Sequence, residues 1–237
     1  MQPYLVQQYY NPSASYTPAR QVRADFESAR HELAQAIGAK PYEIILTAGA
    51  TESINLAIHG VLRHYSGSVV TSTIEHAAVL AAAEHYTSRR AVADSKGFIS
   101  AESVAREIDE QSTLVSIGYV NNELGTVQPL RDIAAVVAAE RQRRLASGNT
   151  RPLFLHTDAS QAAGLLDIAM SRLGIDLLTL NSSKCYGPKQ VGLLWAKSDI
   201  TLTPLIDGGG QERGLRAGTE NVAGVIGFAR ALSIATA

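Results

Sequence analysis

The sequence predicts an α/β fold with three layers, α/β/α, around a mainly parallel sheet. Short apolar segments typical of buried strands alternate along the 237 residues with longer segments whose apolar residues recur at helical spacing. This alternation is typical of strand–helix–strand units, whose crossover helices cover both faces of a parallel sheet. No linker-like or low-complexity segment interrupts the pattern, so residues 1–237 are expected to form one domain.

The predicted elements follow one another from the amino terminus. The first helix is expected to have Thr17 as its N-cap and Pro18 at its first position, and to end at Gly38. Its apolar face comprises Val22, Phe26, Ala29, Leu33 and Ile37. Strands are predicted at residues 43–47, 68–72, 113–120, 153–157, 176–180 and 191–196. Further helices are predicted at residues 51–64, from residue 77, and at 101–108, 130–145 and 221–234.

Composition argues against several functional classes. The formal net charge of −1 gives no electrostatic reason to expect a nucleic acid or an anionic membrane as a partner. The sequence has no run of about 18 apolar residues and no basic-then-apolar start, so a cytoplasmic location is expected. The single cysteine, Cys185, excludes an internal disulfide and a cysteine-based zinc site, and no histidine spacing predicts a metal.

Two predicted strand ends carry side chains suited to one kind of chemistry. Lys184 follows the strand at 176–180, between small hydroxyl residues and a Gly-Pro turn, and Asp158 follows the strand at 153–157. A lysine that is held in place and partly desolvated can form a Schiff base with an aldehyde. An aspartate opposite it can keep a pyridine nitrogen protonated, and this pair is what a pyridoxal phosphate (PLP) site requires. Elsewhere such residues are commonly a solvated lysine and a helix N-cap.

Seven segments resemble, in order, those of the cysteine desulfurases, a branch of the class V aminotransferase-like, fold type I enzymes that depend on PLP. The segments are NPS at 11–13, TAGATES at 47–53, EHAAVL at 75–80, NNELG at 121–125, DASQ at 158–161, KCYGPK at 184–189, and GGGQERG with RAGT at 208–219. Their common order and spacing are more specific than any one of them. The resemblance implies that residues 1–237 form the PLP-binding large domain of this fold.

The resemblance also implies an activity and its partners. Members of the family take sulfur from L-cysteine as an enzyme persulfide and release L-alanine, for iron–sulfur cluster or thio-cofactor assembly. A homodimer and a sulfur-acceptor or scaffold protein are therefore expected as partners. The lysine that carries the cofactor is expected to be Lys184 rather than Lys189, which the resemblance places away from the ring.

The resemblance assigns the core of the site to five residues. Ala50 and Thr51 are expected to bind the cofactor phosphate at a strand-to-helix turn, where free backbone N–H groups suit an anion. His76 is expected to stack on the pyridine ring and to handle protons, because its imidazole is flat and titrates near neutrality. Asp158 pairs with the ring nitrogen, and Lys184 is the catalytic lysine.

Five further residues complete the predicted cofactor site. Asn122, expected to end the strand at 113–120, and Gln161 are assigned to the phenolic oxygen of the cofactor. Asn181 and Ser183 stand where the family usually has a serine and a histidine, and both can still donate hydrogen bonds to the phosphate. Thr219 resembles a residue that reaches the phosphate of the partner subunit.

The family is longer than this sequence at both ends, so the chain is expected to lack the small C-terminal domain. That domain carries the cysteine that attacks the substrate sulfur and an arginine that binds the substrate carboxylate. Cys185 stands where the family has an apolar residue, and we expect it to be a small buried hydrophobe. Two alternatives to a desulfurase stay open: a non-catalytic or truncated PLP-binding subunit, and another class V enzyme such as a selenocysteine lyase.

Overall fold

The computed structural model describes residues 1–236, apart from the side chain of Ser171. The α-helices are α1 (Gln2–Val6), α2 (Thr17–Ile37), α3 (Ala50–Tyr65), α4 (Ala77–Ala83), α5 (Ala101–Glu107), α6 (Leu130–Ala146), α7 (Met170–Leu173) and α8 (Val222–Ala235). The strands are β1 (Ile44–Thr47), β2 (Ser68–Ser72), β3 (Ser88–Ala91), β4 (Ser112–Ser116), β5 (Phe154–Asp158), β6 (Leu177–Asn181) and β7 (Gly192–Ala196). Short 3₁₀ helices lie at Pro41–Glu43, Ser182–Cys185 and Gln211–Gly214. None of the helices within residues 1–236 is long and apolar enough to cross a membrane.

The seven strands form one sheet in the order β1-β7-β6-β5-β4-β2-β3. Strand β7 runs antiparallel to both of its neighbours, and the other adjacent pairs are parallel. Six strands therefore point the same way, and their carboxyl ends share one edge of the sheet. The mainly parallel sheet predicted from the sequence is confirmed.

Alternate strand residues face two separate hydrophobic cores. Ile44 and Leu46 of β1 pack in the core that includes residues of α2, α5, α6, α7 and α8, whereas Ile45 packs in the core with α3 and α4. Leu178 of β6 belongs to the first core and its neighbour Leu177 to the second. Because side chains alternate across a strand, this division means that helices cover both faces of the sheet. The three-layer arrangement is confirmed.

The first long helix and the edge of the sheet show where local patterns succeed and fail. The five predicted face residues of α2 are buried, and Gly38 ends the helix in a left-handed conformation with φ 71°. The N-cap is Tyr16 rather than Thr17. The predicted strand at 113–120 ends at Ser116, although the amides of Ile117 and Tyr119 still donate to carbonyls of β5. Beyond Ser116 the chain also lines a cleft, through Gly118 and Val120. Edge strand β3 was not predicted, since Arg89 and Arg90 are exposed and break the apolar pattern.

A buried histidine joins the three central strands. His156 of β5 has no exposed surface; its Nδ1 lies 2.8 Å from the Ser116 hydroxyl of β4, and its Nε2 lies 3.0 Å from the Thr179 hydroxyl of β6. Burial lowers the pKa of His156 to about 3, so the imidazole is neutral over the ordinary pH range. These contacts fix the register of β4, β5 and β6 within two residues of Asp158, the last residue of β5.

A close backbone approach at the start of β7 requires Gly192. A Cβ added there would lie 2.7 Å from the Cα of Gly49 and 2.8 Å from the carbonyl oxygen of Leu180. Gly49 is the N-cap of α3 and has φ 138°, a conformation that favours glycine. Gly192 therefore allows the turn between β1 and α3 to pack against the end of β6.

We predict that Gly192→Ala lowers the free energy of unfolding by about 1–3 kcal/mol, because the added methyl overlaps backbone atoms that cannot move independently. Urea unfolding followed by circular dichroism measures the change. The control is Gly210→Ala, where an added Cβ meets no atom within 4 Å. Equal stability of the two variants would show that the turn has room to adjust.

Candidate active site

A cleft of about 780 Å³, its open mouth included, lies at the carboxyl edge of the sheet. It receives the ends of β2, β5 and β6 and the start of α3. Eight of the predicted site residues line it: Ala50, Thr51, His76, Asn122, Asp158, Gln161, Asn181 and Lys184. Residues up to 134 positions apart in the sequence, Ala50 and Lys184, thus meet in one cavity.

One wall of the cleft is the amino terminus of α3. The N-cap, Gly49, offers no side chain to the first-turn amides, and Ala50 and Thr51 line the cavity. The first amides of a helix have no intrahelical partner and carry the positive end of its dipole. Glu52, the acidic residue of this turn, is held outside the lining by the Ala48 amide and by Arg216, each at 2.9 Å. The wall therefore suits an anion such as a phosphate.

Asp158 lies at the deep end of the cleft, where β5 stops. Its Oδ1 accepts a hydrogen bond from the Ser160 amide at 3.0 Å, and its own carbonyl accepts from the Tyr119 amide at 2.9 Å. Burial raises the pKa of the Asp158 carboxyl, while Ser160 and the nearby His76 and Lys184 act in the opposite direction. A cation placed against Asp158 would stabilise the ionised carboxylate and so offset the effect of burial on its pKa.

Lys184 lies across the cleft on the 3₁₀ helix that follows β6. Asn181 caps this helix, with its Oδ1 accepting from the Ser183 amide at 3.3 Å and from the Ser183 hydroxyl at 3.2 Å. The Lys184 side chain is exposed within the cleft and makes no salt bridge with the described residues. Strands β5 and β6 are paired, with Asp158 beside Thr179. Their register therefore puts the aspartate and the lysine at one end of the sheet.

His76 stands at the mouth of the cleft as the N-cap of α4. Its Nδ1 accepts a hydrogen bond from the Ala78 amide at 3.0 Å. A ring nitrogen that accepts cannot carry a proton, so the neutral imidazole holds its proton on Nε2. The cap thereby fixes the tautomer of His76.

The donor set fits PLP. A buried hydroxyl, Ser160 Oγ, lines the cleft without a hydrogen-bond partner among the described residues, as expected where a polar ligand belongs. Free helix amides, a carboxylate and a lysine line the same cavity, and these match a phosphate, a pyridinium nitrogen and an aldehyde. The chemistry of each group is thus complementary to one part of the cofactor.

Two predicted cofactor residues, Ser183 and Thr219, do not line this cleft. The Ser183 hydroxyl donates a hydrogen bond to Asn181, and Asn181 is the residue that lines the cleft. Thr219 lines a separate cleft together with Ala48 and Arg216. Asn122 does line the site, but from a turn beyond the end of β4 rather than from a strand end, which corrects the prediction.

Cys185 is buried, as expected. It is 2% exposed, and its thiol donates to the carbonyl of Ser182 at 3.2 Å. Burial raises the pKa of this thiol, which disfavours the nucleophilic thiolate. Cys185 does not line the cleft although it follows Lys184 directly.

Sequence reasoning missed one ionisable residue of the site, Glu75. Its Oε1 accepts from the Ser72 hydroxyl at 2.5 Å and its Oε2 from the Gly118 amide at 3.0 Å, and it lines the cleft beside Asp158. Burial raises the pKa of Glu75 to about 7. In the sequence, Glu75 stands out only as part of the segment EHAAVL, since nothing there indicates that Gly118 is its partner.

Comparison with known proteins gives the family. The model of the aminotransferase class-V family matches residues 1–237. The chain belongs to this family. It is 37% identical to the cysteine desulfurase IscS of Dictyoglomus turgidum, over 99% of this chain and 59% of the relative. It is also 37% identical to the cysteine desulfurase IscS of Methanosarcina thermophila, over 100% of this chain and 58% of the relative.

Solved structures of the family share the fold. A NifS-like protein superimposes with a TM-score of 0.90 at 34% identity, covering 98% of this chain and 64% of that one. The protein SspA, solved in complex with cysteine, superimposes with a TM-score of 0.89 at 37% identity, covering 97% of this chain and 66% of that one. The chain thus spans about three fifths of the length of the curated relatives, at 58% to 62% for the IscS proteins.

Proposed function

We propose that this chain forms the PLP-binding part of a cysteine desulfurase. Such an enzyme transfers the sulfur of L-cysteine to an enzyme thiol as a persulfide and releases L-alanine. The observation that carries the proposal is the meeting of Asp158 and Lys184 at neighbouring strand ends, in one cleft with the amino terminus of α3. The IscS relatives and the SspA complex with cysteine support the choice of reaction and substrate.

Each lining residue has a task in the proposal. Lys184 would hold the cofactor through its aldehyde and would move the proton at the α-carbon of the substrate. Asp158 keeps the ring nitrogen protonated, and Ala50 and Thr51 hold the phosphate with amide and hydroxyl donors. When bound, PLP supplies an electron sink for the substrate's α-carbon. His76, with its proton on Nε2, would stack on the ring and handle protons near the substrate.

The remaining predicted residues orient the cofactor and complete its phosphate site. Asn122 and Gln161 donate to the phenolic oxygen, since their amides line the cleft without hydrogen bonds to other described residues. Asn181 lines the cleft beside Lys184 on the phosphate side, and Ser183 supports it by donating its hydroxyl hydrogen to Asn181 Oδ1 at 3.2 Å. The thiol that takes the sulfur is not Cys185, because burial and its hydrogen bond to Ser182 keep it out of the cleft.

A homodimer belongs to the proposal, because Thr219 is anchored away from the cleft that holds Lys184. Arg30 donates to both carboxylate oxygens of Glu212 at 2.6 and 2.8 Å, and both side chains are buried. Arg216 bonds Glu52 at 2.9 Å. These contacts support a fixed path for residues 208–219, in which Thr219 serves the phosphate of a second copy.

Iron–sulfur cluster assembly is the proposed use of the sulfur, through an acceptor or scaffold protein.

Borohydride trapping tests the role of Lys184. After reduction of the PLP-loaded protein, peptide mapping should find the cofactor on Lys184, and Lys184→Ala should lose the adduct because, within the part of the chain that the structure describes, no other amine lines the cleft. The matched control is Lys189→Ala, which removes an exposed lysine of the same loop and should retain the adduct. An unchanged adduct in Lys184→Ala would refute the assignment.

Incubation with L-cysteine in heavy water tests the reaction. The PLP-loaded chain should exchange the α-proton of L-cysteine for deuterium, since this step needs only the cofactor and Lys184. Sulfide release should stay at background in the wild type and in Cys185→Ser, because loss of a covalent nucleophile costs orders of magnitude in rate. NMR measures the loss of the α-proton signal of L-cysteine and the formation of L-alanine.

Three results would contradict the proposal. Tight PLP binding without α-proton exchange would favour a non-catalytic PLP-binding subunit. Rapid sulfide release that disappears in Cys185→Ser would make Cys185 the nucleophile. Release of selenium from selenocysteine, without release of sulfide from L-cysteine, would favour a selenocysteine lyase.

Light scattering during size exclusion tests the dimer. The PLP-loaded protein should elute as a dimer, and Thr219→Ala should weaken PLP binding about tenfold, as expected for loss of a hydrogen bond to a charged group. The control is Thr201→Ala, an exposed threonine outside both clefts. A monodisperse monomer that binds PLP tightly would show that Thr219 serves no partner site.

A further inference from the structure

Glu75 is an ionisable group of the cleft to which the proposed function gives no task. It follows β2 and is held by two hydrogen bonds that reach different parts of the sheet. Its Oε1 accepts from Ser72 of β2 at 2.5 Å, and its Oε2 accepts from the amide of Gly118, beyond β4, at 3.0 Å. It has no salt-bridge partner among the described residues. A carboxylate in this position would therefore be a desolvated charge without a counterion.

Gly118 makes this approach feasible. A Cβ added to Gly118 would lie 3.1 Å from Glu75 Oε2 and 4.0 Å from the carbonyl oxygen of Asp158. The contact at 3.1 Å is tighter than most real Cβ contacts, so a side chain at this position would press on the carboxyl group. The Glu75 carboxyl and the backbone of Asp158 thus both lie next to Gly118.

The charges around Glu75 are few. The titratable residues that line the cleft are Glu75 itself, His76 beside it, Asp158 at the end of β5 and Lys184 after β6. Burial raises the pKa of Glu75 to about 7, although the hydrogen bonds from Ser72 and Gly118 lower it, and the charge of Asp158 adds a smaller effect in the same direction as burial. Two neighbouring desolvated carboxyl groups do not both ionise easily, and the pair titrates as a unit. An ionised Asp158 therefore favours a proton on Glu75.

The hydrogen bonds of Glu75 indicate where that proton resides. Oε2 is engaged as an acceptor by the Gly118 amide, whose hydrogen cannot be turned away. Oε1 faces a hydroxyl, and the Ser72 oxygen can accept as well as donate. A carboxyl proton on Oε1 would lie within the 2.5 Å contact and donate to the Ser72 oxygen, with the Ser72 hydroxyl hydrogen turned away from Glu75.

We propose that Glu75 is a proton-holding positioning residue: in its neutral form it supports Gly118 and leaves Asp158 as the one negative charge at the deep end of the cleft. The site is then matched to a single cation, the protonated ring nitrogen of PLP. The identity of that cation rests on the proposed function, whereas the proton on Glu75 belongs to the protein without cofactor. Glu75 acts on the cofactor through Gly118 and Asp158.

The protein without cofactor tests the proton. Infrared titration should show a carboxylic-acid C=O band near neutral pH that is lost in Glu75→Gln and kept in Glu32→Gln, where an exposed glutamate on α2 is replaced. Because the folded-state pKa is raised, the associated stability is complete below pH 4.5 and is lost as the pH rises through about 7. Glu75→Gln should remove this loss, measured by urea unfolding at each pH.

The PLP-loaded protein tests the match to one cation. Glu75→Gln imitates the protonated acid, since the amide can accept from Gly118 and donate to Ser72, so below pH 7 its PLP affinity should stay within about threefold of wild type. Glu75→Ala loses both contacts and should bind PLP about tenfold more weakly. The acid band of the wild type should persist when PLP binds.

The outcomes separate this inference from the proposed function. A wild type without the acid band near neutral pH, or a Glu75→Gln variant as weak in PLP binding as Glu75→Ala, would overturn the role of Glu75. Failure of PLP to attach to Lys184 would overturn the proposed function, while the titration without cofactor would still decide whether Glu75 holds a proton. If Glu75→Gln fails to fold, the titration of Asp158→Asn decides, because Glu75 is then the one carboxyl group that lines the cleft among the described residues: a retained acid band would support its role and a lost band would overturn it.

Discussion

The site depends on the register of three parallel strands, which the buried imidazole of His156 fixes. The histidine bonds Ser116 on one side and Thr179 on the other, and its burial keeps it neutral, so the contacts persist over the ordinary pH range. Two residues later β5 ends at Asp158. A slip of one residue would turn every side chain of β5 to the opposite face and remove Asp158 from the cleft. The position of Asp158 relative to Lys184 is thus set by the sheet itself.

The cleft keeps opposite charges at separate places. The amino terminus of α3 supplies positive partial charge on one wall, and the carboxyl groups of Asp158 and Glu75 lie together at the deep end. Gly192 permits the position of the α3 amino terminus, because the turn before α3 can approach the end of β6. Gly118 permits the position of the Glu75 carboxyl group. A ligand with an anionic group at one end and a cationic nitrogen at the other is complementary to this arrangement.

Sequence patterns predicted the residues whose position follows from strand ends. Asp158 and Lys184 were found because apolar strands precede them directly, and parallel strands bring such residues to one edge. Glu75 was missed because its role depends on Gly118, which is 43 residues away. Edge strand β3 was missed because half of its residues are exposed. Asn122 was assigned to a strand end, but apolar residues continue into the rim of the cleft after β4 has ended.

Nitrogen-15 NMR of ring-labelled PLP tests the central claim most directly, because it reports whether the ring nitrogen carries a proton. In the wild-type protein at neutral pH we predict the chemical shift of a protonated pyridinium, held by the carboxylate of Asp158. In Asp158→Asn the isosteric amide cannot stabilise that charge, and the shift should become that of a neutral pyridine. The same protonated signal in both proteins would contradict the account, since the strand-end aspartate would then have no influence on the cofactor.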